Sequence, residues 1–186
     1  MKARTKAKGR AASRRPAAAR RATRAATRAR TRVTTKASPF LMFDGRLGPA
    51  VELYTSIFPD SRIVSMSQDG KDGPVTAAEF VVGGQRFMAF NGGPHFQFTD
   101  AFSIFVRCED QEEVDRYWDA LLRAGAKPVQ CGWITDPFGL SWQIVPRRFM
   151  ELIADPDPKK SGAVMAAMMK MVKLDVAGLE RAHAEA

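Results

Sequence analysis

The sequence predicts an α+β fold of two βαβββ modules, with helices behind them and a basic arm in front. Three observations carry that prediction. The hydrophobic period changes from 2 to 3.6 and back, and does so twice in the same order. Turn-forming pairs such as Asp44-Gly45 and Gly83-Gly84 sit at the changes. The cationic residues are segregated: residues 1–38 hold 14 of the 29 Lys+Arg and none of the 20 acids.

The arm comes first. It is almost entirely Ala, Arg, Lys, Thr and Ser, with no aromatic residue, so burial cannot offset its ordering entropy and disorder is expected. A histone-tail-like arm that contacts nucleic acid non-specifically through residues 1–38 is one reading. A solvated extension, an upstream start and an organelle transit peptide are the others. The remainder carries 15 basic and 20 acidic residues, net −5, and should itself repel phosphate backbones. Two cysteines, Cys108 and Cys131, are too few for a disulfide framework. No apolar run approaches the ~18 residues of a membrane span, and the N-terminus lacks an apolar secretion signal. A cytoplasmic, membrane-free protein is the simplest expectation.

The first module is expected over about 39–98. Phe40 to Phe43 reads as a strand closed by Asp44-Gly45. Ala50, Leu53, Tyr54, Ile57 and Phe58 then recur at helical spacing up to Pro59, predicting a helix over 47–58. Strands follow at 62–67, 75–82 and 85–90, the last two joined by Gly83-Gly84, a linker suited to the positive φ of a tight hairpin. The second module, about 99–150, restarts at Phe102, 62 residues after Phe40. Phe102 to Val106 is a strand. Asp110 and Glu113 resemble a capping box, and Val114, Tyr117, Trp118, Leu121 and Leu122 give a helix ended by Gly125. Strands are predicted at 127–129, 132–135 and 141–145. Over 151–186 the helical period returns, with Val164, Met168, Met171 and Val172 on one face and a further helix around Leu179.

Several runs resemble the PhnB-like branch of the vicinal oxygen chelate (glyoxalase and bleomycin-resistance) superfamily. They are Phe40-Leu41-Met42-Phe43-Asp44-Gly45, Tyr54 to Ser61, Asn91-Gly92-Gly93-Pro94-His95-Phe96 and Gly132 to Pro146. Cys108 to Gln111, Val114 to Trp118 and Ala154 to Pro158 fit the same pattern, so the resemblance spans nearly all of 39–185. It implies two modules side by side whose curved sheets enclose a half-open cavity, commonly in a homodimer. Whether the modules pair within one chain or between two stays open. Enzymes of the superfamily hold a divalent metal there through His, Glu or Gln on the first and last strand of each module.

The sequence departs from that ligand pattern. The four expected ligand strands contain no histidine and no carboxylate. Gln143 stands where a Glu ligand usually does and Ser103 where a His often does. Oxygens from Gln143, Ser103 and Asn91 are poor donors for Zn, Fe or Ni, which are held by imidazole, thiolate or carboxylate. No metal site and no cofactor are therefore predicted, a divalent metal being the minority reading.

His95 is the candidate catalytic or binding residue, since histidine ordinarily exchanges protons near neutrality. Fixing its own Gly-Gly-Pro-His loop is its structural alternative. Phe43, Phe90, Trp133 and Trp142, with Phe105, are candidates for an apolar ligand pocket, and core packing is the alternative for each. Asn91, Ser103 and Gln143 would be its polar handles.

Three functions follow. The first is metal-independent binding of a small, partly hydrophobic molecule. The second is a lyase, dioxygenase or resistance enzyme of the superfamily. Sequences of this branch also carry a ubiquinone-pathway methyltransferase label, but no Gly-rich loop stands in the βαβ setting that a nucleotide-like methyl donor needs. The third is nucleic-acid association, resting on the arm alone.

Overall fold

The computed structural model describes residues 36–186. The arm predicted over 1–38 falls outside them up to residue 35. Thirteen elements follow one another: β1 (Phe40–Phe43), α1 (Leu47–Ile57), β2 (Arg62–Gln68), β3 (Val75–Val82), β4 (Gln85–Asn91), β5 (Ser103–Cys108), α2 (Gln111–Arg123), β6 (Lys127–Pro128), β7 (Trp133–Thr135), β8 (Ser141–Pro146), α3 (Arg147–Ile153), α4 (Pro158–Met168) and α5 (Val176–Ala184). The βαβββ order is present twice, as predicted.

The strands form two four-stranded sheets, β1-β4-β3-β2 and β5-β8-β7-β6. In each, the first strand of the module pairs parallel with the last, Phe40 opposite Met88 and Ser103 opposite Ser141. The β3–β4 hairpin turns through Gly83 and Gly84 at φ 54° and 83°, where a side chain would be strained.

The first sheet buries one face, and the second buries the matching face and, at Val145, part of the other under the C-terminal helices. Leu41, Phe43, Phe80, Phe87 and Ala89 of the first sheet share one core with Ile134, Trp142 and Ile144 of the second. Helix α1 lies within that core. Tyr54 packs edge-on to Trp142 at 5.0 Å between ring centroids, and Phe58 stacks on the same indole at 4.9 Å. The residues that alternate with these point away. Phe40, Met88, Phe90 and Phe105 are exposed, at 57%, 47%, 43% and 45%, large apolar side chains that the described residues leave about half open.

Asp110 caps α2 as expected, accepting from the Glu113 amide at 2.9 Å, while the Glu113 carboxylate accepts from the Glu109 amide one residue outside the cap position.

The C-terminal helices differ from the sequence reading in two ways. A separate short helix, α3, starts directly from β8. Helix α4 ends at Met168, so Met171 and Val172 lie in the turn beyond it, Met171 partly buried and Val172 exposed. Their carbonyls accept from the amides of Cys131 and Gly132, both at 2.8 Å, and so tie the turn to the segment before β7. Gly132 is required there: it has φ 81°, and a Cβ would meet Leu174 and the Ile144 carbonyl at 3.0 Å. Val145, Phe149, Leu152, Val164, Met168, Leu174 and Leu179 make a second small core. Gln111 ties it to α2, donating to the Leu174 carbonyl at 3.2 Å and accepting from the Val176 amide at 2.8 Å.

Candidate functional site

The motif Asp136-Pro137-Phe138-Gly139 shapes the interior first. Asp136 is buried and its carboxylate accepts four hydrogen bonds: from the Tyr54 hydroxyl at 2.6 Å, the Trp142 indole N–H at 2.9 Å, and the Phe138 and Leu140 amides at 2.8 and 3.0 Å. This is why the turn needs an aspartate, and it fixes α1 against β8. Burial, reinforced by the neighbouring Asp136 charge and hydrogen bond, holds the Tyr54 phenol well above its ordinary pKa. Tyr54 is therefore a neutral donor, not a base.

On the outer face of the second sheet, the Gln143 amide donates to the Ser103 hydroxyl at 2.8 Å, and Trp133 stands opposite Gln143 on the neighbouring strand. Phe90 is on the outer face of the first sheet. Phe43 and Trp142 point into the core, 2% and 1% exposed, and do not join these residues. Asn91 also follows the inward alternation of Phe87 and Ala89; its amide donates to the Val75 carbonyl, and its oxygen is buried without a partner among the described residues.

The open volume lies elsewhere, between the free edge of β1 and the connection to β5. A cavity of about 450 Å³ is lined there by Pro39 to Met42, His95 to Thr99 and Phe102. That size suits a small ligand. Of the candidates proposed from the sequence, His95 alone stands among its walls. Phe98 anchors the inner wall, edge-on to Phe43 at 5.1 Å. Gly92 lets the loop close on it, since a Cβ there would meet Met42 and Phe96. Sequence reasoning missed Phe40, Met42, Phe96, Phe98 and Phe102 as wall residues. The alternation His95-Phe96-Gln97-Phe98 was the signal that could have found the loop.

The donor set at the positions where the superfamily carries its metal does not fit that metal. Gln143 is bonded to Ser103 through its amide N–H, Asn91 is turned inward, and the described residues contain no grouping of three or more His, Cys, Asp or Glu. Cys108 is buried, and burial followed by the nearby Glu113 pushes its thiol up to about 12, which removes it as a nucleophile. No helix among the described residues is long and apolar enough to cross a membrane.

Residues 35–145 match the family model described as 3-demethylubiquinone-9 3-methyltransferase. Among solved structures, a PhnB protein from Bacillus cereus, described as a putative 3-demethylubiquinone-9 3-methyltransferase, is 34% identical. The similarity covers 60% of this chain and 98% of that one, with a TM-score of 0.55. A Pseudomonas aeruginosa protein is 23% identical over 57% of this chain and 92% of its own, with a TM-score of 0.48. A fosfomycin resistance protein from Listeria monocytogenes, complexed with Mn(II) and sulfate, is 17% identical over 58% and 88%, with a TM-score of 0.45. No curated protein sequence matches the chain.

Proposed function

Since the chain belongs to the PhnB-like family of the vicinal oxygen chelate superfamily, we propose that it binds a small, partly hydrophobic molecule without a tightly held metal. The observation that carries the reading is the cavity of about 450 Å³ beside β1, walled by Phe40, Met42, Phe96, Phe98 and Phe102. The donor chemistry supports a site without a tight metal: amide and hydroxyl oxygens do not compete for Zn, Fe or Ni. The methyltransferase description of the family does not define the chemistry here, because the described strands form βαβββ modules rather than a Gly-rich βαβ nucleotide site.

A second copy of the chain completes the molecule in this reading. The outer faces of both sheets carry exposed Phe40, Met88, Phe90 and Phe105, and apposing them in a homodimer removes that surface from water. Gln143, Ser103 and Trp133 of one protomer would then border the same enclosed space as the outer face of its partner's first sheet.

Titration with the neutral fluorescent probe N-phenylnaphthylamine tests the cavity. Saturable binding to the full chain, lost in Thr99→Trp while circular dichroism is unchanged, is expected; absence of saturable binding refutes it. Elemental analysis after incubation with Zn, Ni, Mn and Fe(II) and desalting tests the metal. Well under one equivalent is expected, and near-stoichiometric metal restores the enzyme reading.

A further inference from the structure

The lining of the cavity constrains its ligand further than size does. Among the described side chains that wall it, His95 supplies the one imidazole; Gln97 and Thr99 add an amide and a hydroxyl, and the rest are Pro, Leu, Met and four Phe. A phosphonate, sulfonate or carboxylate is normally met by arginine or lysine, and neither is present among the described walls. An ammonium ligand is met best by carboxylates and by the faces of Trp and Tyr, and none of these stands among the described walls, where Phe alone offers a weaker aromatic face. A purely hydrocarbon ligand leaves the imidazole without a use. The composition suits a planar aromatic body with a single hydrogen-bonding hydroxyl.

Resting on the cavity reading above, we propose that the ligand is a phenol or other hydroxylated aromatic, its ring among Phe40, Phe96, Phe98 and Phe102 and its hydroxyl on His95. Imidazole serves this class in either protonation state. As the neutral ring it accepts from the hydroxyl, and as the cation it donates to the phenolate oxygen. His95 is placed for this by Gly92-Gly93-Pro94, which turns the chain out of β4 and brings the loop back along β1. Gly93 has φ 83°, a conformation that glycine adopts readily.

Displacement of N-phenylnaphthylamine from the full chain distinguishes the possibilities. Naphthol is expected to displace the dye at about five- to tenfold lower concentration than naphthalene, the scale of one net hydrogen bond. Naphthyl phosphate and tetraethylammonium should be the weakest competitors. His95→Leu should bring the naphthol-to-naphthalene ratio to about one, and His95→Gln should keep part of it, since an amide still donates and accepts. Equal displacement by naphthol and naphthalene in the wild type overturns the hydroxyl assignment while leaving the cavity intact. Stronger displacement by naphthyl phosphate or tetraethylammonium overturns it in favour of a charged ligand. Failure of the dye itself to bind overturns the cavity reading as well.

Discussion

Asp136 gathers α1, the turn before β8 and the β8 indole on one carboxylate. Removing it leaves the Tyr54 hydroxyl and the Trp142 N–H buried without acceptors, and each orphaned donor costs about 1–3 kcal/mol. Asp136→Ala is therefore expected to lower the unfolding free energy by about 3 kcal/mol or more in urea titration. Tyr54 and Cys108 act together at alkaline pH. Both have folded-state pKa values raised above the unfolded ones, so the stability they contribute is complete below the unfolded values. It is lost as pH rises towards the folded ones. From neutral pH to about pH 9 these two groups should leave the unfolding free energy level, and above it the free energy should fall, the window opened by the shift of Cys108 to about 12. Tyr54→Phe should remove the part that arises above the ordinary tyrosine range. None of the four bonds to Asp136 was legible in the sequence. The Asp-Pro-Phe-Gly turn was visible as a motif, but its partner Tyr54 is 82 residues away.

Elements were legible where one face is buried and the period is sustained. Helix α2 shows this, with Val114, Tyr117, Trp118 and Leu121 inward and an Asp110 cap. The strands of the first sheet show it too, with Leu41, Phe43, Phe87 and Ala89 alternating against more exposed neighbours. The reading blurred after Pro146. There, Val164 and Met168 do share a buried face, but the chain leaves the helix before Met171, and the turn is held by backbone bonds to Cys131 and Gly132 that no periodicity encodes. Gln111 is the corresponding side-chain tie. Gln111→Ala should leave α1 and the sheets unchanged and raise amide exchange across 174–184, because the Leu174 carbonyl and Val176 amide lose their partner together. Unchanged exchange in α5 would show that the second core alone holds the helices.

At the scale of the whole molecule, the two-module architecture was readable from the repeat of element order, and the position of the cavity was not. It forms where β1 meets the loop of His95 and the residues up to Phe102, the first residue of the next predicted strand, a meeting of distant segments that no local period encodes. The predicted pocket aromatics Phe43 and Trp142 were claimed by the shared core instead. The exposed sheet faces give the prediction that belongs here. The full chain of 20.5 kDa should sediment as a dimer at micromolar concentration. Phe90→Glu with Phe105→Glu should shift it to monomer with little change in far-UV circular dichroism, since both side chains are already exposed in the single chain. A wild-type monomer would remove the second copy from the site.

The parallel pairing of the first and last strand in each module bears on how the chain comes off the ribosome. β1 has no partner until β4 has emerged, so the first sheet closes only when Asn91 is synthesised. Its core then still lacks Trp142, on which Tyr54 and Phe58 rest, and Asp136, which accepts the Tyr54 hydrogen bond. At about 5–20 residues per second, the roughly fifty residues between these points take seconds. During that interval one flank of α1 is wet, and the nascent first module is a natural client for whatever shields apolar surface at the exit tunnel.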